Sequence, residues 1–141
     1  MWRCKIAATF YVISYLYPLL DKQNDTVLDT NIIFAGLYSV LGASYQILKA
    51  LSAGYFQPVL SVTLLFEYED VLKHNSRKLG CSFQEIDAFL GNICDLSSFH
   101  KIHYLWRPFL PDPKDDHILE LAVAAKASHI VTFNTKDSVV I

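Results

Sequence analysis

Two periods alternate along the chain. Thr26-Val27-Leu28 is a short apolar run that stops at Asp29, the pattern of a strand buried on both faces. Gln57-Pro58-Val59-Leu60 repeats it, with the proline near the strand start, where a missing N–H is tolerated. Lys101 to Trp106 alternates enough to predict a third strand, and His129 to Phe133 a fourth. Between these runs the spacing becomes helical. Ile32 to Leu41, with Gly36 and Gly42, reads as a turn leading into a helix. Ala43 to Ala53 carries Tyr45, Leu48 and Leu51 on one side, and Gly54 stands where a C-terminal cap belongs. Ser61 caps a helix from Val62 to about Asn75, with Leu64, Leu65, Tyr68, Val71 and Leu72 inward. Arg77 to Gly80 reads as a loop. Ser82 caps a further helix, Phe83 to about Leu96, with Ile86, Phe89, Leu90 and Ile93 inward. Asp116 to Ala127 is a helix with a small-residue face: Ile118, Leu119, Ala122, Val123 and Ala125.

The resulting order is strand–helix–strand–helix–helix–strand–helix–strand. It predicts an α/β fold, a three-layer sandwich around a mostly parallel central sheet. Right-handed crossovers then bring the ends of the Asp29 and Phe133 strands to one edge. Residues 25–141 read as one domain with no internal repeat or linker. Residues 1–24 are an apolar N-terminal extension. Arg3 and Lys5 precede Ile6 to Leu20, which Pro18 interrupts. The run is short against the ~18 residues of a spanning helix. Asp21-Lys22-Gln23-Asn24-Asp25 offers no small-residue cleavage site. With Tyr11, Tyr15 and Tyr17 in it, the extension is expected to be a packing element, not a membrane anchor.

Composition narrows the function. The chain has 141 residues, is 52% hydrophobic and 18% charged, and carries a net charge of -2. That describes a globular domain with a sizeable core. It is not the basic footprint of a general nucleic-acid binder. Any polyanion must be held by local bases or through bound cations. Cys4, Cys81 and Cys94 are odd in number and form no C-x-x-C pair, so neither a zinc site nor a disulfide framework is indicated. A reducing, cytoplasmic setting is the simpler expectation.

Four acidic sites have positions that bring them toward the strand-end edge. Asp29 ends the first strand, as either a helix cap or a functional acid. Glu67 lies in the first two turns of the helix after the second strand. Asp116, beside Asp115, opens the small-residue helix, where the helix dipole also favours acids. Asp137 follows the last strand, with Asn134 three residues before it. Each has a plain structural reading as cap, solvated helix residue or turn. A carboxylate cluster with no matching bases is costly unless a cation neutralises it. Oxygen-only ligands of this kind suit Mg²⁺ or Mn²⁺.

Four blocks carry a resemblance: Val27-Leu28-Asp29-Thr30-Asn31-Ile32, Leu60 to Leu72, Asp112 to Ala122, and Ile130 to Asp137. Together, in that order and spacing, they resemble a PIN domain, and among such proteins the toxins of bacterial toxin–antitoxin pairs. The resemblance covers roughly Asp25 to the C-terminus. It implies a Mg²⁺- or Mn²⁺-dependent endoribonuclease, often a homodimer, held inactive by a cognate antitoxin protein. The family's acidic positions fall on Asp29, Glu67 and Asp116, with the fourth in the Asn134/Asp137 segment. Thr30 and Asn31 match the polar positions beside the first acid.

Hydrolysis of an RNA phosphodiester needs an activated water, an in-line approach and neutralisation of charge. The resemblance makes Asp29 and Asp116 principal metal ligands, with Glu67 and Asn134 or Asp137 completing the shell or orienting water. Lys73, His74, Arg77, Lys78, Arg107, Lys114 and Lys136 are candidates for backbone contact, each more often a plain solvated residue. His117, beside Asp116, reads as an exposed or core histidine before an acid–base one. The sequence departs from the family in its residues 1–24. It also ends at Asp137-Ser138-Val139-Val140-Ile141, where the family usually adds an edge strand. Lack of that strand would expose its neighbour's backbone and loosen Asp137. The alternative is therefore a catalytically inactive or truncated PIN-fold module that acts by antitoxin binding or dimerisation. An aspartyl-nucleophile phosphotransferase is disfavoured, because Asn31 stands where a second acid is wanted. No Gly-rich phosphate loop or G-x-S-x-G is present.

Overall fold

A computed structural model of the chain describes residues 25–101 and 116–132. The extension 1–24, residues 102–106 of the expected third strand, Asn134 and Asp137 lie outside the described residues. Ten elements follow one another. β1 (Asp25–Leu28) leads to α1 (Thr30–Tyr38) and α2 (Ala43–Ser52), then β2 (Gln57–Leu60). α3 (Val62–His74), α4 (Ser76–Leu79) and α5 (Phe83–Leu96) precede β3 (Ser98–Phe99). α6 (Asp116–Ala124) and β4 (His129–Val131) complete the set.

The four strands form one all-parallel sheet in the order β3-β2-β1-β4, flanked by helices. The registers are Thr26 beside Pro58 and His129, and Val59 beside Ser98. Because every strand points the same way, Leu28, Leu60, Phe99 and Val131 all finish at one edge. β2 is buried throughout and β1 at all but its first residue, so the central pair is covered on both faces.

Local chemistry explains most boundaries. The Ser61 hydroxyl accepts from the Leu64 amide at 3.1 Å and starts α3. Ser82 and Glu85 form a reciprocal capping box at α5, 3.1 and 3.0 Å. Gly54, at φ 80, ends α2, with its own amide on the Leu51 carbonyl and the Tyr55 amide on that of Ala50. The core joins Ile86, Phe89 and Ile93 of α5 to Leu64, Tyr68 and Leu72 of α3 and to Val59 and Leu60 of β2.

Four expectations need correction. α1 begins at Thr30, directly after the strand, with no intervening turn, because the Asp29 carbonyl already accepts from the Ile32 amide at 3.0 Å. Arg77 to Leu79 belongs to the helical turn α4, not a loop. α6 stops at Ala124, not Ala127, because Lys126 turns left-handed at φ 54 and hands the Ala127 amide to the Ala122 carbonyl. The third strand of the sheet is Ser98–Phe99, and Lys101 lies outside it. The chain enters the sheet as soon as α5 ends: the Gln57 side-chain amide donates to the Leu96 carbonyl at 2.7 Å, and the His100 amide to Leu60 at 2.9 Å.

Two glycines on helices predict opposite outcomes. A Cβ on Gly36 would lie 2.5 Å from Leu48 Cδ1, 2.8 Å from its Cγ and 3.0 Å from the Ser44 carbonyl oxygen. Leu48 is fully buried and cannot step aside. Gly36→Ala should cost about 1–3 kcal/mol in urea unfolding. Gly91, exposed on α5 with nothing within 4 Å, should stabilise the fold by about 0.5–1 kcal/mol when changed to alanine. Equal effects from both changes would contradict the close α1–α2 approach.

Candidate active site at the switch point of the sheet

The strand order fixes where a site belongs. The chain walks outward from β1 to β2 to β3 and then returns to the other side of β1 as β4. The reversal falls between β1 and β4, and open α/β sheets bind ligands in the crevice at the carboxyl ends there. Asp29 and Thr132 are the residues that leave β1 and β4 at that point. The Asp29 amide donates to the Val131 carbonyl at 2.9 Å. Its side chain is buried, and Oδ2 accepts from Thr132 Oγ1 at 2.7 Å.

This arrangement separates the two readings of Asp29. The residue does occupy the N-cap position of α1, yet its side chain makes no capping hydrogen bond. The carboxylate is turned instead to a hydroxyl 103 residues away. A helix cap alone needs no such partner.

Glu67 reaches the same edge from α3. Ser61 fixes the start of that helix at the end of β2, and Glu67 sits in its second turn. Oε2 accepts a short hydrogen bond from Thr30 Oγ1, and His117 Nε2 stands 3.5 Å from the same oxygen. Thr30 is the residue after Asp29, so one dipeptide supplies one acid and the hydroxyl that tethers the other. The next residue on α3 ties the helix to the strand: the Tyr68 hydroxyl donates to the Leu28 carbonyl at 2.5 Å. Burial first, and then the charges of Asp29 and Glu67, push the Tyr68 phenol well above its usual range. It stays a neutral donor.

Each acid therefore has one oxygen held by a hydroxyl. Asp29 Oδ1 and Glu67 Oε1 accept no hydrogen bond from the described residues. The His117 contact foremost, with the Thr30 hydroxyl adding to it, holds the Glu67 carboxyl below its ordinary value against the opposing effect of burial.

Asp116 opens α6, whose next residue is the His117 that touches Glu67. The first turn of α6 thus lies at the site's edge. Asn31 is exposed on α1. Of two further contributors, the sequence reading passes over Thr132 and weighs His117 only to set it aside. Thr132 looks like an ordinary strand-end β-branched residue, and its partner is too distant in sequence to be inferred. His117 was expected to be an exposed or core residue; it is buried, but with one nitrogen on Glu67. Of the bases weighed for backbone contact, His74, Arg77 and Lys78 are exposed, in keeping with their plain solvated reading, and Arg107, Lys114 and Lys136 lie outside the described residues. α3 runs away from the edge, and Lys73 lies six residues, about 9 Å of helix rise, beyond Glu67. Its ammonium is held by Asp87 at 2.8 Å and Glu69 at 3.3 Å, and the Asp87 contact foremost raises its pKa.

Comparison with known proteins assigns the family. The family model for the PIN domain matches residues 25–136. The chain belongs to the PIN domain family. Members are generally nucleases, and such nucleases generally use divalent metals. No curated protein and no solved structure matches the chain. Among the described residues no three His, Cys, Asp or Glu groups converge to hold a metal ion. The two acids present do fit a hard cation: they offer oxygen only, and among the described residues one oxygen of each is unclaimed and no lysine or arginine pairs with either.

The Glu67 shift has a consequence for acid stability. Its folded pKa lies below the ordinary 4.5, so its stabilisation is complete above 4.5 and is lost as pH falls through the folded value. The stability difference between wild type and Glu67→Gln, measured by urea unfolding, should shrink as pH falls below 4.5. A difference that grows as pH falls below 4.5 would contradict the His117 and Thr30 contacts.

Proposed function

We propose that the protein is a Mg²⁺- or Mn²⁺-dependent endoribonuclease, the toxin of a toxin–antitoxin pair. The observation that carries the nuclease reading is the pair of acids at the switch point, each tethered at one oxygen and, among the described residues, open at the other. In this reading Asp29 and Asp116 are the principal metal ligands. Glu67 and the Asn134/Asp137 segment complete the shell or orient the attacking water. A bound divalent ion would supply charge neutralisation at phosphate and a more acidic water.

The chain's own groups do the positioning. Thr132 fixes the Asp29 carboxylate, so Oδ1 faces its ligand without a rotamer search. Thr30 does the same for Glu67. Tyr68 holds the α3 turn against the end of β1, which sets the spacing between the two acids. Single-stranded RNA is the substrate class, and a cognate antitoxin is the partner that covers the site; both follow from the likeness of the four acidic blocks to toxin PIN domains.

The test is cleavage of a labelled single-stranded RNA by purified protein, with Mg²⁺ or Mn²⁺ and with chelator, beside Asp29→Asn and Asp116→Asn. Metal-dependent cutting should fall at least ~100-fold in each variant, on the scale of lost electrostatic stabilisation of a transition state. Induced expression should slow growth for wild type and not for Asp29→Asn. Full activity in Asp29→Asn with a native fold would refute the assignment.

A further inference from the structure

The side chain with the least obvious purpose near the site is that of His117. It is 7% exposed, in the first turn of α6, and its Nδ1 is buried with no hydrogen-bond partner among the described residues. A neutral ring that donates from Nε2 leaves the Nδ1 lone pair bare; a charged ring leaves an N–H bare. Either way an orphaned buried polar atom costs free energy that an apolar side chain of similar volume would not incur. Packing therefore gives no reason for an imidazole here. The one polar contact its ring makes among the described residues is Nε2 to Glu67 Oε2, 3.5 Å.

That oxygen is also the one the Thr30 hydroxyl donates to. A hydroxyl from α1 and an imidazole nitrogen from α6 thus converge on a single carboxylate oxygen of a third helix, α3, the first by a hydrogen bond and the second at ion-pair distance. The other oxygen, Oε1, is left to whatever binds in the crevice. A carboxylate held at one oxygen from two directions cannot rotate to offer both, nor swing out to solvent as a half-exposed glutamate otherwise would.

We propose that His117 is a positioning residue, which with Thr30 locks Glu67 as a one-oxygen ligand for a divalent cation. The proposal rests on the metal-dependent reading above and goes beyond its acidic residues. The imidazole is the outer partner of a ligand and touches neither the cation nor the substrate. Such partners orient ligands, and their loss typically weakens metal binding by ~10–100-fold.

The test is calorimetric titration of Mn²⁺ into the full chain, with the melting temperature of the metal-free protein measured alongside. The proteins compared are wild type, Glu67→Gln, His117→Leu and His117→Gln. His117→Leu should bind Mn²⁺ ~10–100-fold more weakly, while its metal-free melting temperature stays level or rises as the orphaned nitrogen is removed. His117→Gln, whose Nε2 lies the same number of bonds from Cα, should recover most of the affinity. Unchanged affinity in His117→Leu, with Glu67→Gln weakened, would overturn the positioning role alone. Equal loss in His117→Leu and His117→Gln with a lowered melting temperature would assign the ring to packing and also overturn it. A wild type that binds no Mn²⁺ would overturn the metal reading, and this inference with it.

Discussion

Two threonine hydroxyls set the character of this molecule. A carboxylate at the end of a buried parallel strand is expensive, and its usual remedies are a helix N-terminus or a basic partner. Asp29 has the first within reach and does not use it; its side chain goes to Thr132 across the sheet. Glu67 accepts the Thr30 hydroxyl at Oε2, and His117 Nε2 stands 3.5 Å from the same oxygen. A hydroxyl holds a carboxylate without cancelling its charge. The negative potential remains at the crevice, and the Tyr68 phenol, buried beside both acids, responds to it. A lysine or arginine in either place would stabilise the fold more simply and leave nothing for a cation to do.

The fold supplies this geometry through topology and not through local chemistry. Parallel pairing of β1 with β4 puts Thr132 beside Asp29 despite a sequence separation of 103 residues. The Ser61 cap fixes the start of α3, and the bond from Tyr68 to the Leu28 carbonyl fixes its height against β1. Glu67, between these two anchors, has little freedom left. The close contact of Gly36 with Leu48 packs α2 against α1, the helix that carries Thr30. Precision at the acids is thus a by-product of ordinary core packing.

Much of this was legible in the sequence, for identifiable reasons. Ser61 and Ser82 announce their helices because capping is a local rule. Ile86, Phe89, Leu90 and Ile93 show their buried face because helical spacing is a local rule too. β3 was not legible: it is two residues long, begins with a serine and owes its place to partners on β2. The start of α1 was obscured by an apolar stretch in which Gly36 suggested a turn; only packing against Leu48 shows why a glycine is there. Asp29 and Glu67 could be found from their place after strands. Thr132 and His117 could not, because a threonine after a strand and a histidine in an apolar helix have commoner explanations. Their roles exist only as distances between remote segments.

The central claim is that Asp29 and Glu67 face one divalent cation at the end of β1. Paramagnetic broadening in an amide proton–nitrogen spectrum, with Mn²⁺ added in small steps, tests it most directly. Early loss of the signals of Asp29, Thr30, Glu67, His117 and Thr132 is predicted, while those of Lys73 to Leu79, from the end of α3 through α4, persist. Broadening that begins at Lys73 to Leu79, or spreads evenly over the surface, would contradict it.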